Sequence, residues 1–279
     1  MADVINLALL PPIDVIQQVE HESIVNEVVK AAGLENASPS DPAFRVTLAN
    51  SYREVLLRQY ANEQARGLML AYAKGPQLDH IGVTYYQHPD GSPVTRIQDE
   101  SDDDYRFRMQ SSPEGLSVAG PDGAYQFHAR SAHPDVKAVK VSSPAPVSVV
   151  LHILSRNGQG IPDQTLLDVV RDYVEPFRPL TDKLTVEAAE VLTYSISVEL
   201  FIKAGPDPDL VRETAEQKLA EFVATLHKFK GRVVESAIHA ALTVEGVEEV
   251  KLDDWVDIIC NETQAPYCTG ISTRYQLVN

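Results

Sequence analysis

Apolar residues recur every three or four positions through the first half of the chain and every second position in several stretches of the second half. The first period predicts helices and the second predicts strands. Residues 1–12 are apolar, end in Pro11-Pro12 and read as an extended arm lying on something. Ile13, Ile16, Val19, Ile24, Val25, Val28 and Val29 then carry helical spacing and close at Gly33, a natural C-terminal residue. After a polar loop from Asn36 to Pro42, the apolar positions Phe44, Leu48, Tyr52, Val55, Leu56, Tyr60, Leu68 and Tyr72 follow one another at helical spacing. No Pro and only Gly67 interrupt Phe44 to Ala73, so a helix of roughly 30 residues and about 45 Å is expected there. Helices in domains of this size usually run about three or four turns. Its neighbours in sequence do not supply a private bundle, which favours packing against helices of other chains. Burial in the chain's own core would give the same stripe. Leu48, Tyr52, Val55, Leu56, Tyr60 and Leu68 are the candidate interface residues.

Gly75-Pro76 stops that helix, and Leu78, Ile81 and Val83 mark a short further turn. Tyr85 to Arg96, with Pro89, Gly91 and Pro93, reads as a loop. A helix from Ser101 to about Pro113, a Gly/Pro-rich loop from Glu114 to Asp122 and a helix from Ala124 to Ala132 follow. At Val136 the period changes to two: Val136, Val139 and Val141, then Val147, Val149, Leu151 and Ile153, with Ser142-Ser-Pro-Ala-Pro146 as the turn. A helix over Asp163–Val174 and a strand over Thr181–Ala188 complete a small α/β unit with helices on one sheet face. A related order recurs: a strand over Leu192–Ile202, a helix over Asp207–Leu226 announced by Pro206 and Pro208, a short helix over Val233–Leu242 and a strand over Val247–Leu252. The tail from Asp253 reads as irregular, with a strand-like Thr273–Val278 at its end. The class expected is α+β: N-terminal long helices joining a multi-chain bundle, then two small α/β subdomains. The divisions expected are 1–74 for the arm and bundle helices, 75–134 for a helical junction, 135–190 for the first subdomain and 191–279 for the second.

Charge narrows the list of partners. With 24 Lys and Arg against 40 Asp and Glu, the net charge is −16. Phosphate binding needs clustered cations, so a nucleic-acid partner is not expected, nor is an anionic membrane surface. The small cluster Lys228-Phe-Lys230-Gly-Arg232 reads as local charge balance. Only two cysteines, Cys260 and Cys268, are present, too few for a disulfide framework and wrongly spaced for a zinc site. No signal peptide and no bilayer-length apolar run are read.

Candidate chemistry reduces to one segment. Gly115-Leu-Ser117-Val-Ala119 has alanine where a nucleophile elbow needs glycine. The eight histidines include no i,i+4 pair with a glutamate between them. Gly158-Gln-Gly160 lacks the third glycine of a dinucleotide loop. The dense segment is Gly75-Pro-Gln-Leu-Asp-His-Ile-Gly82 followed by Glu100-Ser-Asp-Asp-Asp-Tyr-Arg-Phe-Arg108. Its acids do not fit a calcium loop, which needs alternating ligands, Gly at position six and Glu at position twelve. They fit a helix start: Ser101 as N-cap, Asp104 three residues on, and carboxylates in the first turn where the helix dipole favours them. Pairing of Asp102 with Arg106 and of Asp104 with Arg108 is expected at i,i+4 spacing. Gly75, Asp79, Gly82, Asp102, Asp104, Arg106 and Arg108 are therefore expected to brace a joint. No metal, cofactor or catalytic residue is expected. A hydrolase or metal enzyme whose site converges from distant segments is the rival reading, and it requires a concave pocket with perturbed acids.

Along most of its length the chain resembles the baseplate J-like proteins of contractile phage tails and tailocins. The resemblance rests on Gly75, Leu78, Asp79 and Gly82, the block from Glu100 to Arg108, Gly120 with Ala124-Tyr125, and Val136 to Val141. Arg178-Pro-Leu-Thr-Asp182 and Val244-Glu-Gly246-Val247 extend it. Ile81 stands where the family often has Leu. The resemblance implies a non-enzymatic part of the inner baseplate wedge, in which two copies pair with a smaller partner of the tail protein I type through a shared helical bundle. It further implies C-terminal regions that close a ring around the central spike hub. A lysozyme-like-fold baseplate protein and the sheath would lie nearby, in a particle baseplate assembled in the bacterial cytoplasm.

Overall fold

The computed structural model describes residues 9–11, 13–203, 205 and 207–278. Among them it contains eight α-helices and eight β-strands in small open sheets, a mixed α+β class. The expected arm falls largely outside the described residues, as does Pro206. The chain divides into two compact units, one made of Ala2–Arg96 with Glu100–Pro113 and the other of Ile97–Asp99 with Glu114–Asn279.

The N-terminal unit holds α1 (His21–Ala31), α2 (Pro42–Arg66), α3 (Pro76–Tyr85) and most of α4 (Asp102–Gly115). α1 begins later than the apolar spacing predicts. Residues 13–20 stay out of the helix because side chains of α2 take up their main chain. Asn62 Oδ1 accepts from Ile16 N, and its Nδ2 donates to Ile16 O, both at 2.8 Å. Arg58 donates to Gln17 O at 3.3 Å, Arg66 to Ile13 O at 3.2 Å and also to the Asp14 carboxylate, and the Tyr72 hydroxyl to Leu10 O at 3.0 Å. This strap satisfies backbone groups that a helix would otherwise have to pair internally.

α2 starts on a cap in which Asp41 Oδ1 accepts from Ala43 N at 2.8 Å, with proline at the first helical position. It ends at Arg66, so the expected helix of roughly 30 residues is instead 25 residues, about 37 Å. Leu68 and Tyr72 lie in turns beyond it. The carbonyls of Leu70 and Ala73, which a continued helix would have used, are taken by Arg106 at 2.8 Å each.

The C-terminal unit carries two sheets. In the first, β1 (Val136–Ala145) pairs antiparallel with β2 (Ser148–Ser155), and β2 pairs parallel with β3 (Lys183–Ala188). α5 (Asp122–Ala132) and α6 (Gln164–Val174) cover one face, burying Tyr125, Ala129, Leu166, Val170 and Val174 against Val139, Val141, Leu151 and Ile153. In the second sheet β4 (Glu190–Lys203) is central. It pairs antiparallel with β6 (Val247–Leu252) and parallel with β8 (Gln264–Val278), under α7 (Pro208–Leu226) and α8 (Glu235–Leu242). A short β5 (Arg232–Val233) and β7 (Ile258–Ile259) form a separate ribbon. Ile196, Val198, Leu200 and Ile202 of β4 meet Val211, Ala215 and Leu219 of α7 in this core. A third cluster, Leu154, Ala189 and Ala265 with Ala138, Val191 and Phe229, joins the sheets, and Glu262 bridges Lys140 at 2.9 Å and Lys230. The strand-like Thr273–Val278 is the end of a 15-residue strand that begins at Gln264, where irregular chain was expected. Both cysteines are free.

Candidate functional site

α2 inverts the usual pattern of a surface helix. The residues it buries are Thr47, Ser51 and Asn62, all polar. Thr47 and Ser51 hydroxyls donate to carbonyls one turn back, at Ala43 and Thr47, which makes their burial tolerable. Val46, Tyr52, Leu56, Leu57 and Tyr60 are exposed, Leu56 at 45% and Tyr60 at 60%. At 100° per residue these positions share one side of the helix, opposite the strap-binding Asn62. Of the candidate interface residues, Tyr52, Leu56, Tyr60 and Leu68 face solvent, while Leu48 and Val55 are half-buried.

The junction residues do converge, by pairings that differ from those expected at i,i+4. Asp102 is held by Arg96: Arg96 Nη2 donates to Asp102 Oδ1 and Nε to Asp79 Oδ1, both at 2.7 Å, and Nη1 donates to Glu100 O at 3.0 Å. Asp102 also accepts from Gly75 N at 3.1 Å. Burial pushes the Asp102 carboxyl up, but the Gly75 N–H and the Arg96 guanidinium outweigh it and leave it below its ordinary range. Arg106 turns to Asp103 at 2.6 Å, one residue nearer than expected, because its other nitrogens reach back to Leu70 and Ala73. Arg108 pairs with Glu100, eight residues away, through two bonds of 2.8 Å, and also donates to Thr95 O. Both side chains of that pair are nearly sealed, at 2% and 5% exposure. The expected cap is present: Asp104 N donates to Ser101 Oγ at 3.2 Å, and the Ser101 hydroxyl donates to the Asp104 carboxylate at 2.5 Å.

Tyr105 sits at the centre of this network. The guanidinium carbons of Arg96 and Arg108 lie over its ring, 4.9 and 5.3 Å from the centroid, a cation–π arrangement. Its hydroxyl donates to Val94 O at 2.7 Å, and burial pushes its pKa up to about 12. Gly82 is required here, since a Cβ would stand 1.8 Å from that hydroxyl. Sequence reasoning missed Arg96 and the role of Glu100. Arg96 lies in a Pro/Gly loop with no periodic signal, and Glu100 precedes the helix it braces.

In the C-terminal unit, segments far apart in sequence meet in the same manner. The Tyr125 hydroxyl donates to Asp182 Oδ2 at 2.8 Å, and Gly120 lies against Pro179. Arg178 Nη1 donates to the carbonyls of Pro179, Leu180 and Asp182, while its Nε bonds Glu175 at 2.7 Å. Among the described residues no group of His, Cys, Asp and Glu is arranged to hold a metal ion, and no helix is long and apolar enough to cross a membrane. The arginines serve carboxylates and main-chain carbonyls, so the geometry braces loops.

Comparison with known proteins assigns this architecture. Residues 39–87 match the Baseplate J-like N-terminal domain, 117–188 the Baseplate J-like central domain and 194–274 the Baseplate J-like protein C-terminal domain. Baseplate protein J of Escherichia phage P2 is 39% identical over 291 aligned positions, covering 95% of this chain and 96% of that one. A cryo-EM structure of the anti-feeding prophage baseplate, sixfold symmetrised, aligns at 12% identity with a TM-score of 0.36, over 52% of this chain and 36% of that chain. The chain therefore belongs to the baseplate J-like family, whose members are named as baseplate proteins, and is a structural component of a phage tail baseplate.

Proposed function

We propose that this chain builds the inner wedge of the baseplate, with α2 as its bundle helix. The observation that carries the reading is the inverted burial of α2, which seals Thr47, Ser51 and Asn62 and leaves Tyr52, Leu56 and Tyr60 in solvent. From Val46 to Tyr60 the exposed apolar side chains form a row about 20 Å long on one helix face, the surface a second helix covers in a bundle. The partners proposed are a second copy of the chain and a smaller protein of the tail protein I type. Leu68, in the turn after α2, and the half-buried Leu48 and Val55 border that row. The Asp79–Arg96–Asp102 and Glu100–Arg108 braces hold the joint that follows it. In this reading residues 1–74 supply the arm and bundle helices, 75–134 the joint, and 135–190 and 191–279 the two subdomains. The latter contact neighbouring wedges and close a ring around the central spike hub, near the sheath and a lysozyme-like-fold protein. That ring supports sheath attachment and the trigger for contraction, in a phage or tailocin particle put together in the bacterial cytoplasm.

The test is co-expression with the products of neighbouring genes, followed by native mass measurement. A hetero-oligomer containing two copies of this chain is expected. Leu56→Asp, placed at an exposed site, should abolish that complex and leave the chain folded. A chain that stays monomeric beside its neighbours, or a Leu56→Asp variant that assembles normally, refutes the reading.

A further inference from the structure

The loop between α6 and β3 combines rigidity with exposure in an unusual way. Three independent ties fix it. Phe177 stacks on His128, with ring centroids 4.0 Å apart and planes 4° from parallel. Arg178 gathers the carbonyls of Pro179, Leu180 and Asp182, and Asp182 N donates to Pro179 O at 3.0 Å. Tyr125 closes the far end through Asp182. Yet Leu180, in the middle of these ties, is 94% exposed. The loop before α5 abuts the same turn, because a Cβ on Gly120 would lie 2.5 Å from Pro179 Cγ, and it carries Val118 at 86% exposure. A mobile loop could fold such side chains back onto the protein, but one braced in this way cannot. Two large apolar groups held stiffly in water lose little conformational entropy when a partner covers them, the property of an interface hot spot.

We propose that Leu180 and Val118 form a preorganised knob that enters an apolar pocket, rimmed by basic side chains, on a different baseplate protein. Charge selects the class of partner. Arg178 is spent on Glu175 and on main-chain carbonyls, and the other charged residues along 114–122 and 179–183 are Glu114, Asp122 and Asp182 against Lys183, an acidic balance. The same acidic segments of a second copy are repelled from such a contact, whereas a basic rim is drawn to it. This surface lies on the C-terminal unit and does not depend on the docking of α2.

A photo-crosslinking residue placed at position 180 of the full chain, expressed with the complete set of baseplate genes, reads the partner directly. In assembled particles it should form an adduct with a different chain, at an apolar segment flanked by Lys or Arg. Leu180→Asp should lower incorporation of the chain into particles roughly tenfold or more, with its thermal unfolding unchanged, while Leu180→Met retains assembly. An adduct with a second copy overturns the proposal, as does a target segment lacking basic residues. So does the absence of an adduct in purified particles that contain the crosslinker-bearing chain, or normal assembly of Leu180→Asp. A failure at Leu56→Asp leaves each of these outcomes readable.

Discussion

Replacing Arg108 by methionine removes the guanidinium and keeps most of the side-chain volume. Glu100, only 5% exposed, then loses both 2.8 Å bonds, and Thr95 O loses its donor. Breaking a buried pair from one side typically costs about 3–5 kcal/mol, because the remaining charge stays desolvated. Loss of the guanidinium from one face of Tyr105 adds about 0.5–1 kcal/mol. For a unit of roughly 100 residues, 1 kcal/mol lowers Tm by about 4 °C or more, so a drop of at least ~12 °C is expected. Adding Glu100→Leu removes the stranded carboxylate, and the double variant should recover at least ~2 kcal/mol of the loss. Hydrogen exchange of peptides from α3 and α4 reports the N-terminal unit, and fluorescence of the only tryptophan, Trp255, follows the C-terminal unit as a control. A cost below about 1 kcal/mol for Arg108→Met, or a double variant no better than the single, would show that the pair does not hold the joint.

Gly82→Ala should destabilise the N-terminal unit by about 1–3 kcal/mol despite the better helix propensity of alanine, since the new methyl must displace the Tyr105 hydroxyl from Val94 O; denaturant midpoints measure it. His227 gives a pH test in the C-terminal unit. Burial first, and then the Lys137 ammonium 3.0 Å from Nδ1, push it down to about 4, with Tyr267 packed edge-on and Gly160 against Nε2. The unfolded chain binds that proton near the ordinary value of 6.5, so the stabilisation is complete above that pH and is lost as pH falls toward 4. Unfolding midpoints followed through Trp255 between pH 7 and about 4.5 should show the loss, and His227→Gln should flatten it.

Much of the fold was legible because periodicity is local. The β1–β2 hairpin, α6 behind its Asp163 cap and the alternation of β4 each follow from spacing within about a dozen residues. The errors arose where distant groups decide. Nothing near Ile16 signals that Asn62, 46 residues away, will take its main chain. Nor do Leu70 and Ala73 reveal that Arg106 ends the helix before them. The first part of β8, from Gln264, is fixed by its pairing with β4, where Glu190 lies opposite Gln264, and that partner is far away in sequence. At the joint, i,i+4 pairing lost to Arg96 and Glu100, which offer partners outside the helix.

The parallel ladder between β4 and β8 has a mechanical consequence. It runs from Glu190 opposite Gln264 to Lys203 opposite Val278, with slanted bonds on either side of one irregularity between Tyr194 and Ser195. Because the strands run in the same direction, a pull on the C-terminal end of β8 against the N-terminal end of β4 acts along the strands. The rungs on each side of that irregularity are then loaded together in shear, where a pull across the strands would open them one after another. Shear along a parallel ladder therefore meets more resistance than a pull that peels one strand from the other.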